Sequence, residues 1–436
     1  MKVVVFTPGL RASAIGRMTA LVTKALAEQK HDVVVVRCED YSLIEGVSHD
    51  FGENVAIHPW AANVVSDLLE DADVVVYQIG NEYSYHRGCI EWMNRVPGIV
   101  CLHDFFLGNL FYGWAEGRRE HAMGVLRHWY GEAVALGYFT HNSSESFIEG
   151  TKDCAPMTEW ICSQALSVIA HSRWGIQRVM ESCPGPVKIV PLAYDAPGAG
   201  NVSDAENAAE DPFVLLTIGH VNPNKRVESV IRAIGRSAFL RSFVQYRVVG
   251  RIEHDMQERL NALAKDQQVK LVILGEVPSN ALAQEISLAD AICCLRWPTI
   301  EGASASAIEA MLYGKPVIVT NAGFYAELPD EYVRKIGVPT EIEDLEQVLE
   351  SLASDPVQRG NLGKNAAVWA GTTFSPENYA SQIAEMGFST QRAALIMDTM
   401  NKFVELLSNW DQMQALMSLP RTLKPLEIFN TPSRPQ

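Results

Sequence analysis

Short apolar runs alternate with amphipathic stretches along most of this chain. KVVVF from Lys2, DVVVVR from Asp32, DVVVYQ over 73–78, GIVCL over 98–102, SVIA over 167–170 and VKIV over 187–190 are apolar on both faces. Runs of that kind predict strands of a parallel sheet covered by helices on both sides. A helical period over 15–29 separates the first two, and the alternation predicts a doubly wound α/β domain. The segment 197–212, PGAGNVSDAENAAEDP, has no apolar period and reads as an interdomain linker. The rhythm then restarts with FVLLTIG, YRVVG, KLVILG, DAICCL and KPVIVT, and helical patterns over 227–237, 255–264 and 305–313 lie between them. A second doubly wound domain over 213–375 is expected.

Two regions depart from that rhythm. Residues 105–164 form a long, aromatic-rich, largely helical insert within a first domain that spans 1–196. Residues 376–436 read as helices without strands, closing in the Pro-rich tail RTLKPLEIFNTPSRPQ.

Composition narrows the function classes. Over 436 residues, 36 Lys+Arg stand against 52 Asp+Glu, a formal net charge of −16. That balance argues against a nucleic-acid partner, which needs a basic footprint. At 47% hydrophobic and 20% charged residues, the chain can bury a large core, which excludes a disordered protein. Its eight cysteines include no CxxC pair and several fall in strand-like runs, so they read as reduced core thiols of a cytoplasmic protein. The apolar run at the N-terminus is too short for a signal-peptide core, and no apolar stretch of about 18 residues offers a transmembrane helix.

In open α/β sheets, ligands bind outside the carboxyl ends of the strands, so the chemistry is sought there. TIGHVNPNKR brings Lys225 and Arg226 off a strand end into a helix start, a setting that attracts phosphate; a solvated basic turn is the plain alternative. EGASASAIE places Glu301 in a loop and Glu309 in the helix that follows. Eight helical steps would separate them by about 12 Å, too far for the roughly 5–9 Å carboxylate pair of a glycosidase. Two carboxylates so spaced suit the two ends of one extended ligand, and Gly302, Ala303 and Ser304 between them leave backbone amides open. An acidic helix start with a solvated Glu309 is the plain alternative. His103 and Asp104 come directly off GIVCL and would face the cleft. The loop after the first strand, TPGLRASAIGR, carries Gly9, Gly16, Arg11 and Arg17 but is not a dinucleotide fingerprint. Asp71 and Asp73 form a DxD at the wrong end of a strand, and His141 and His171 lack a partner at ligand spacing, so no metal site is supported.

Taken together, the Lys225 loop, EGASASAIE, the following AMLYGKPVIVTNAGFYAELPD, YQIGNEYSYH and VCLHDFF resemble the retaining GT-B glycosyltransferases of family 4, in a bacterial surface polysaccharide or glycoconjugate branch. The resemblance is strongest over 213–328. It implies two Rossmann-like domains facing a cleft: an acceptor-binding first domain, a nucleotide-sugar-binding second domain, and C-terminal helices that cross back to the first. It implies that Lys225 binds the donor diphosphate and that Glu309 holds the ribose. Glu301 with the amides of Gly302, Ala303 and Ser304 would hold the donor sugar, and His103 would contact it near the reacting centre. Gly16 and Asp104 would lie on the acceptor side, and Glu276 and Val277 near the base. His220 stands where the family often has an Arg, and Arg296 or Arg226 is the expected substitute for that charge.

The activity so implied is transfer of a hexose-type sugar from a nucleoside-diphosphate donor, with retention and without a metal or other cofactor. The acceptor would be a glycan, lipid-linked or protein. The insert, with Arg118, Arg119 and Arg127 among aromatics, could present a peripheral contact to the inner face of a membrane, although ordinary helix packing is the stronger reading. Alternatives are a sugar-nucleotide epimerase, which needs acid/base groups on both sides of the sugar, and an inactive sugar-nucleotide-binding subunit. A dehydrogenase lacks its glycine fingerprint.

Overall fold

The computed structural model describes residues 1–197 and 212–408. The linker expected at 197–212 lies, except for its end residues, outside the described residues, as does the Pro-rich tail.

The first domain holds seven parallel strands: β1 (Lys2–Thr7), β2 (Asp32–Arg37), β3 (Ala56–Pro59), β4 (Val74–Ile79), β5 (Ile99–Leu102), β6 (Ser167–Ala170) and β7 (Val187–Ile189). They are ordered β3-β2-β1-β4-β5-β6-β7, so the order reverses between β1 and β4. The second domain holds β8 (Phe213–Ile218), β9 (Val244–Val249), β10 (Lys270–Gly275), β11 (Ala291–Cys294), β12 (Val317–Thr320) and β13 (Val333–Ile336). Their order is β10-β9-β8-β11-β12-β13, with the reversal between β8 and β11. The apolar runs anticipate eleven of these thirteen strands. The two missed, AIHP and VRKI, are short and half polar because they form sheet edges.

The doubly apolar character of the runs has a direct cause. In β1, Val3 and Val5 enter one core cluster while Val4 and Phe6 enter another; β4 divides Val74 and Val76 from Val75 and Tyr77 in the same way. Period-two side chains thus fill both faces of each sheet. One face of the second sheet, through Leu216, Ile218, Ile292 and Val319, joins the cluster that contains Val3 and Val5, so the domains share one core.

The insert is helical over Gly108–Trp114, Arg119–Gly137, Ser144–Thr151 and Thr158–Cys162, with Gly131 (φ 83°) breaking the second of these. The helix Pro376–Ser408 returns to the first domain. Gln29 donates to the Glu377 carbonyl (2.9 Å), Lys188 pairs with Glu385 (2.8 Å), and Ser167 bonds Thr390 (2.8 Å). Among the described residues, no helix is long and apolar enough to cross a membrane.

Candidate active site

Loops at the carboxyl ends of strands in both sheets converge. After β5, the Phe105 and Phe106 N–H groups donate to the Ile300 carbonyl (2.9 and 3.1 Å), and Gly302 N–H donates to the His103 carbonyl (2.7 Å). Asp104 and Glu301 are thereby paired as in a short antiparallel ladder, although they belong to different domains. Gly302 is required by this approach: a Cβ there would lie 3.0 Å from the His103 carbonyl oxygen and 3.2 Å from that of Leu102. The resemblance assigns the Gly302 amide to the donor sugar, but here it is spent on closing the domains. Ser304 is likewise engaged: its hydroxyl accepts from Ala307 N–H (3.3 Å) and caps the helix Ala305–Leu312.

The second domain supplies the charge. Lys225 ends a 3-10 turn, Pro223–Lys225, and its buried ammonium donates to the Ile218 carbonyl at the end of β8. Gly219 adopts φ +90°, and a Cβ there would meet Nζ at 3.0 Å, so only glycine leaves the lysine this position. Burial, then the nearby Arg296 charge, brings the Lys225 ammonium down to about 7. Arg296 donates through Nε to Glu301 (2.9 Å), which also accepts from the Tyr325 hydroxyl (2.7 Å) and Ile300 N–H (3.2 Å). Of the two arginines offered as substitutes for His220, only Arg296 acts on Lys225. Arg226 instead grips Glu341 with two nitrogens, at 2.8 to 3.1 Å. His220 is exposed, and burial of part of its ring together with the Arg251, Lys225 and Arg296 charges lowers its pKa. Glu276 (exposed) and Val277 (half-buried) follow β10, with β9 between that strand and β8.

Glu309 is not on a solvated face. It is 6% exposed and accepts from Arg17 of the first domain (2.9 Å). Arg17 also donates to Asp195 (2.7 Å) and to the Tyr194 hydroxyl (3.1 Å), with its guanidinium 4.4 Å from the Tyr194 ring centroid. Burial pushes the Glu309 carboxyl up and Arg17 draws it back. The carboxylate expected to hold a ribose is thus held by an arginine from across the cleft.

The first domain supplies a neutral, histidine-rich wall. His103 Nε2–H donates to Gln78 Oε1 (2.6 Å), and its ring lies 4.8 Å from that of His171. Burial, then His171, then His86, holds His103 well below the usual imidazole range. Burial lowers both His171 and His86 to about 4. The Asp104 carboxylate accepts from Asn81 N–H (2.8 Å), yet burial, aided by Glu301, raises it to about 7. Behind this wall, Cys38, His86 and Cys89 meet within 4.8 Å, a grouping their sequence separation conceals. Each already bonds a backbone carbonyl, of Tyr85 or Gln78, so they pack as neutral core groups.

Between the walls lies a cavity of about 160 Å³ lined by Ala14, Ile15, Met18, His103, Asp104, His171, Leu192, Ala303 and Ala305. Gly16 does not line it. Its role is local: a Cβ there would stand 2.4 Å from the Pro8 carbonyl, so the glycine lets the helix Ala14–Glu28 pack against the loop before it. The DxD is structural, since Asp73 accepts from Lys2 N–H (2.7 Å) at the foot of β4. Sequence reasoning noted Arg17 only as loop charge and set His171 aside for want of a ligand-spaced partner. Its place at the carboxyl end of β6 was the signal that could have kept it.

Residues 201–369 match the family model described as "Glycosyl transferases group 1". A MMP α-(1→4)-mannosyltransferase of Mycolicibacterium hassiacum is 26% identical over 223 residues, 50% of this chain and 52% of that protein, so the match spans about half the length of this relative. Among solved structures, Anabaena HepE in complex with UDP and glucose aligns at a TM-score of 0.57 and 17% identity, covering 88% of this chain and 99% of that one. Sucrose-phosphate synthase from Thermosynechococcus elongatus aligns at 0.62 and 16%, covering 90% and 100%. WaaG, a glycosyltransferase involved in lipopolysaccharide biosynthesis, aligns at 0.55 and 17%, covering 88% and 99%. The chain has the GT-B fold, and its residues 201–369 are similar to the glycosyl transferases group 1 family.

Proposed function

We propose that this protein is a retaining glycosyltransferase that moves a hexose-type sugar from a nucleoside-diphosphate donor to a glycan, lipid-linked or protein acceptor. The observation that carries the reading is the meeting of Lys225, Arg296 and Glu301 of one domain with His103 and Asp104 of the other, beside a cavity lined by His103, Asp104 and His171. Cleaving the anomeric C–O bond leaves negative charge on the diphosphate and oxocarbenium character on the sugar. Fixed positive groups in a dry cleft stabilise the former. Lys225 and Arg296 would meet the diphosphate, Glu309 the ribose once Arg17 yields it, and Glu301 the sugar. His103, kept neutral by burial, would contact the sugar by hydrogen bonding. Asp104 would face the acceptor side.

The lysine–arginine pair supplies the charge that a divalent cation would otherwise bring, which supports metal-independent transfer. Front-face substitution with retention suits a wall on which His103 is uncharged and the nearest carboxyl, Asp104, is half-protonated near neutrality.

A thermal-shift panel with UDP, GDP, dTDP, ADP and NAD tests the reading, repeated on Lys225→Ala. A nucleoside diphosphate at about 100 times its dissociation constant should add roughly 2.7 kcal/mol of stability. One selective shift, absent from the variant, is expected. A shift with NAD alone would overturn the proposal.

A further inference from the structure

His171 is a buried polar group whose hydrogen bonding stops half way. It follows β6 directly, is 4% exposed and lines the cavity. Its Nδ1 faces the Val190 carbonyl at 3.1 Å. A carbonyl only accepts, so Nδ1 carries the proton and Nε2 bears a bare lone pair. Nε2 is buried and has no partner within the protein. The ring is held in place by His103 (4.8 Å) on one side and Tyr379 of the returning helix (5.7 Å) on the other.

A buried acceptor left unsatisfied costs on the order of 1–3 kcal/mol; among the described residues nine buried side-chain atoms lack a partner, and His171 Nε2 is the one whose residue lines the cavity. The other cavity walls are Ala14, Ile15, Met18, Leu192, Ala303 and Ala305, with His103 and Asp104 as the polar remainder. None of the apolar six can donate a hydrogen bond. At about 160 Å³ the cavity exceeds the on the order of 10–15 Å³ that a single water requires. What fits a chamber whose polar groups include a neutral acceptor without a partner of its own is a ligand that brings an O–H group.

We propose that His171 Nε2 accepts a hydrogen bond from one hydroxyl of the sugar being transferred, and so selects donors that carry that hydroxyl. The inference rests on the transferase reading and adds to it a specificity residue. With its pKa near 4, His171 accepts the bond without removing the proton, so its part is recognition. A donor lacking the hydroxyl leaves Nε2 unpaired, and such sites discriminate against the missing group more strongly than apolar pockets discriminate by size.

The test uses the full chain with UDP- and GDP-linked glucose, galactose, mannose and N-acetylglucosamine, followed by the monodeoxy analogues of whichever donor is turned over. Acceptor-free donor hydrolysis and sugar transfer are measured separately. Wild type is expected to lose at least about tenfold in kcat/KM at one deoxy position. His171→Phe, which keeps the ring but not the acceptor, should lower kcat/KM for the intact donor by a similar factor. It should erase discrimination at that position alone, and His171→Gln should restore part of it. A discrimination pattern unchanged in both variants overturns the assignment, as does a wild type indifferent to every single deoxygenation. A change confined to deoxy acceptors overturns the assignment to the transferred sugar. If His171→Phe does not fold, the wild-type analogue series and His171→Gln decide. A wild type that turns over no donor and binds no nucleoside diphosphate overturns the transferase reading itself, a failure distinct from the others.

Discussion

The two walls of the cleft solve different problems. The second-domain wall is rich in ionisable groups: Lys225, Arg296, Glu301 and Glu309, each held by a named partner. The first-domain wall carries less charge, with two buried histidines, His103 and His171, kept neutral and one carboxyl, Asp104, raised to about 7. A departing diphosphate needs fixed charge, whereas an oxocarbenium-like sugar beside a buried cation would be destabilised. The contrast therefore assigns leaving-group chemistry to one domain and sugar recognition to the other. The 104/301 pairing and the Arg17–Glu309 contact bring the two together.

The largest expected effect is on the ionic wall. Lys225→Ala should lower turnover by about 10²–10³, the usual loss for one preorganised group that stabilises developing negative charge; steady-state kinetics with a saturating donor would measure it. His103→Ala should cost less, about 10–100-fold in kcat, because a hydrogen bond to the sugar is lost rather than a charge. Equal losses in the two variants would erase the distinction between the walls.

The Arg17–Glu309 pair crosses between them and should show coupling. Glu309→Ala should weaken nucleoside-diphosphate binding about tenfold. Arg17→Ala should weaken the domain contact while freeing Glu309 for the ribose. A double-mutant cycle on nucleotide affinity is expected to give an interaction energy of roughly 0.5–3 kcal/mol. Strict additivity would mean that Arg17 leaves Glu309 undisturbed on binding.

Lys225 gives the ionic wall a pH signature. In the free protein its pKa is lowered to about 7, so above that pH the amine is largely neutral. A bound diphosphate favours the charged form and raises that pKa. Binding at pH 8 should therefore take up protons, up to about one per nucleotide, and affinity should fall as pH rises through 7. Calorimetry in buffers of different ionisation enthalpy reads this directly, and Lys225→Met should abolish it. The smallest effect is expected at the seam. Gly302→Ala places a methyl against the His103 and Leu102 carbonyls, and a few-fold drop in turnover with a larger radius of gyration in solution scattering is anticipated.

The same contrast governs how much could be read from sequence. The ionic wall was legible because Lys225, Glu301 and Glu309 lie in one stretch of chain whose spacing carries the motif. Most of the strands were legible because β-branched runs buried on both faces are distinctive. The first-domain wall was not, because Gln78, His103 and His171 come from β4 and from the ends of β5 and β6, which only the sheet order β4-β5-β6 gathers. Nor could spacing show that Gly302 N–H serves the closure, that Gly16 serves packing, or that Arg17 reaches Glu309 across 292 positions. Such facts depend on two domains meeting, which no local pattern encodes.

Calorimetric titration of UDP and GDP into wild type, Lys225→Ala and His103→Ala tests the division of labour most directly. The account predicts that one nucleotide binds wild type and His103→Ala with the same affinity, within about twofold, and that Lys225→Ala loses most of that affinity. Unchanged binding in Lys225→Ala, with loss in His103→Ala, would contradict it.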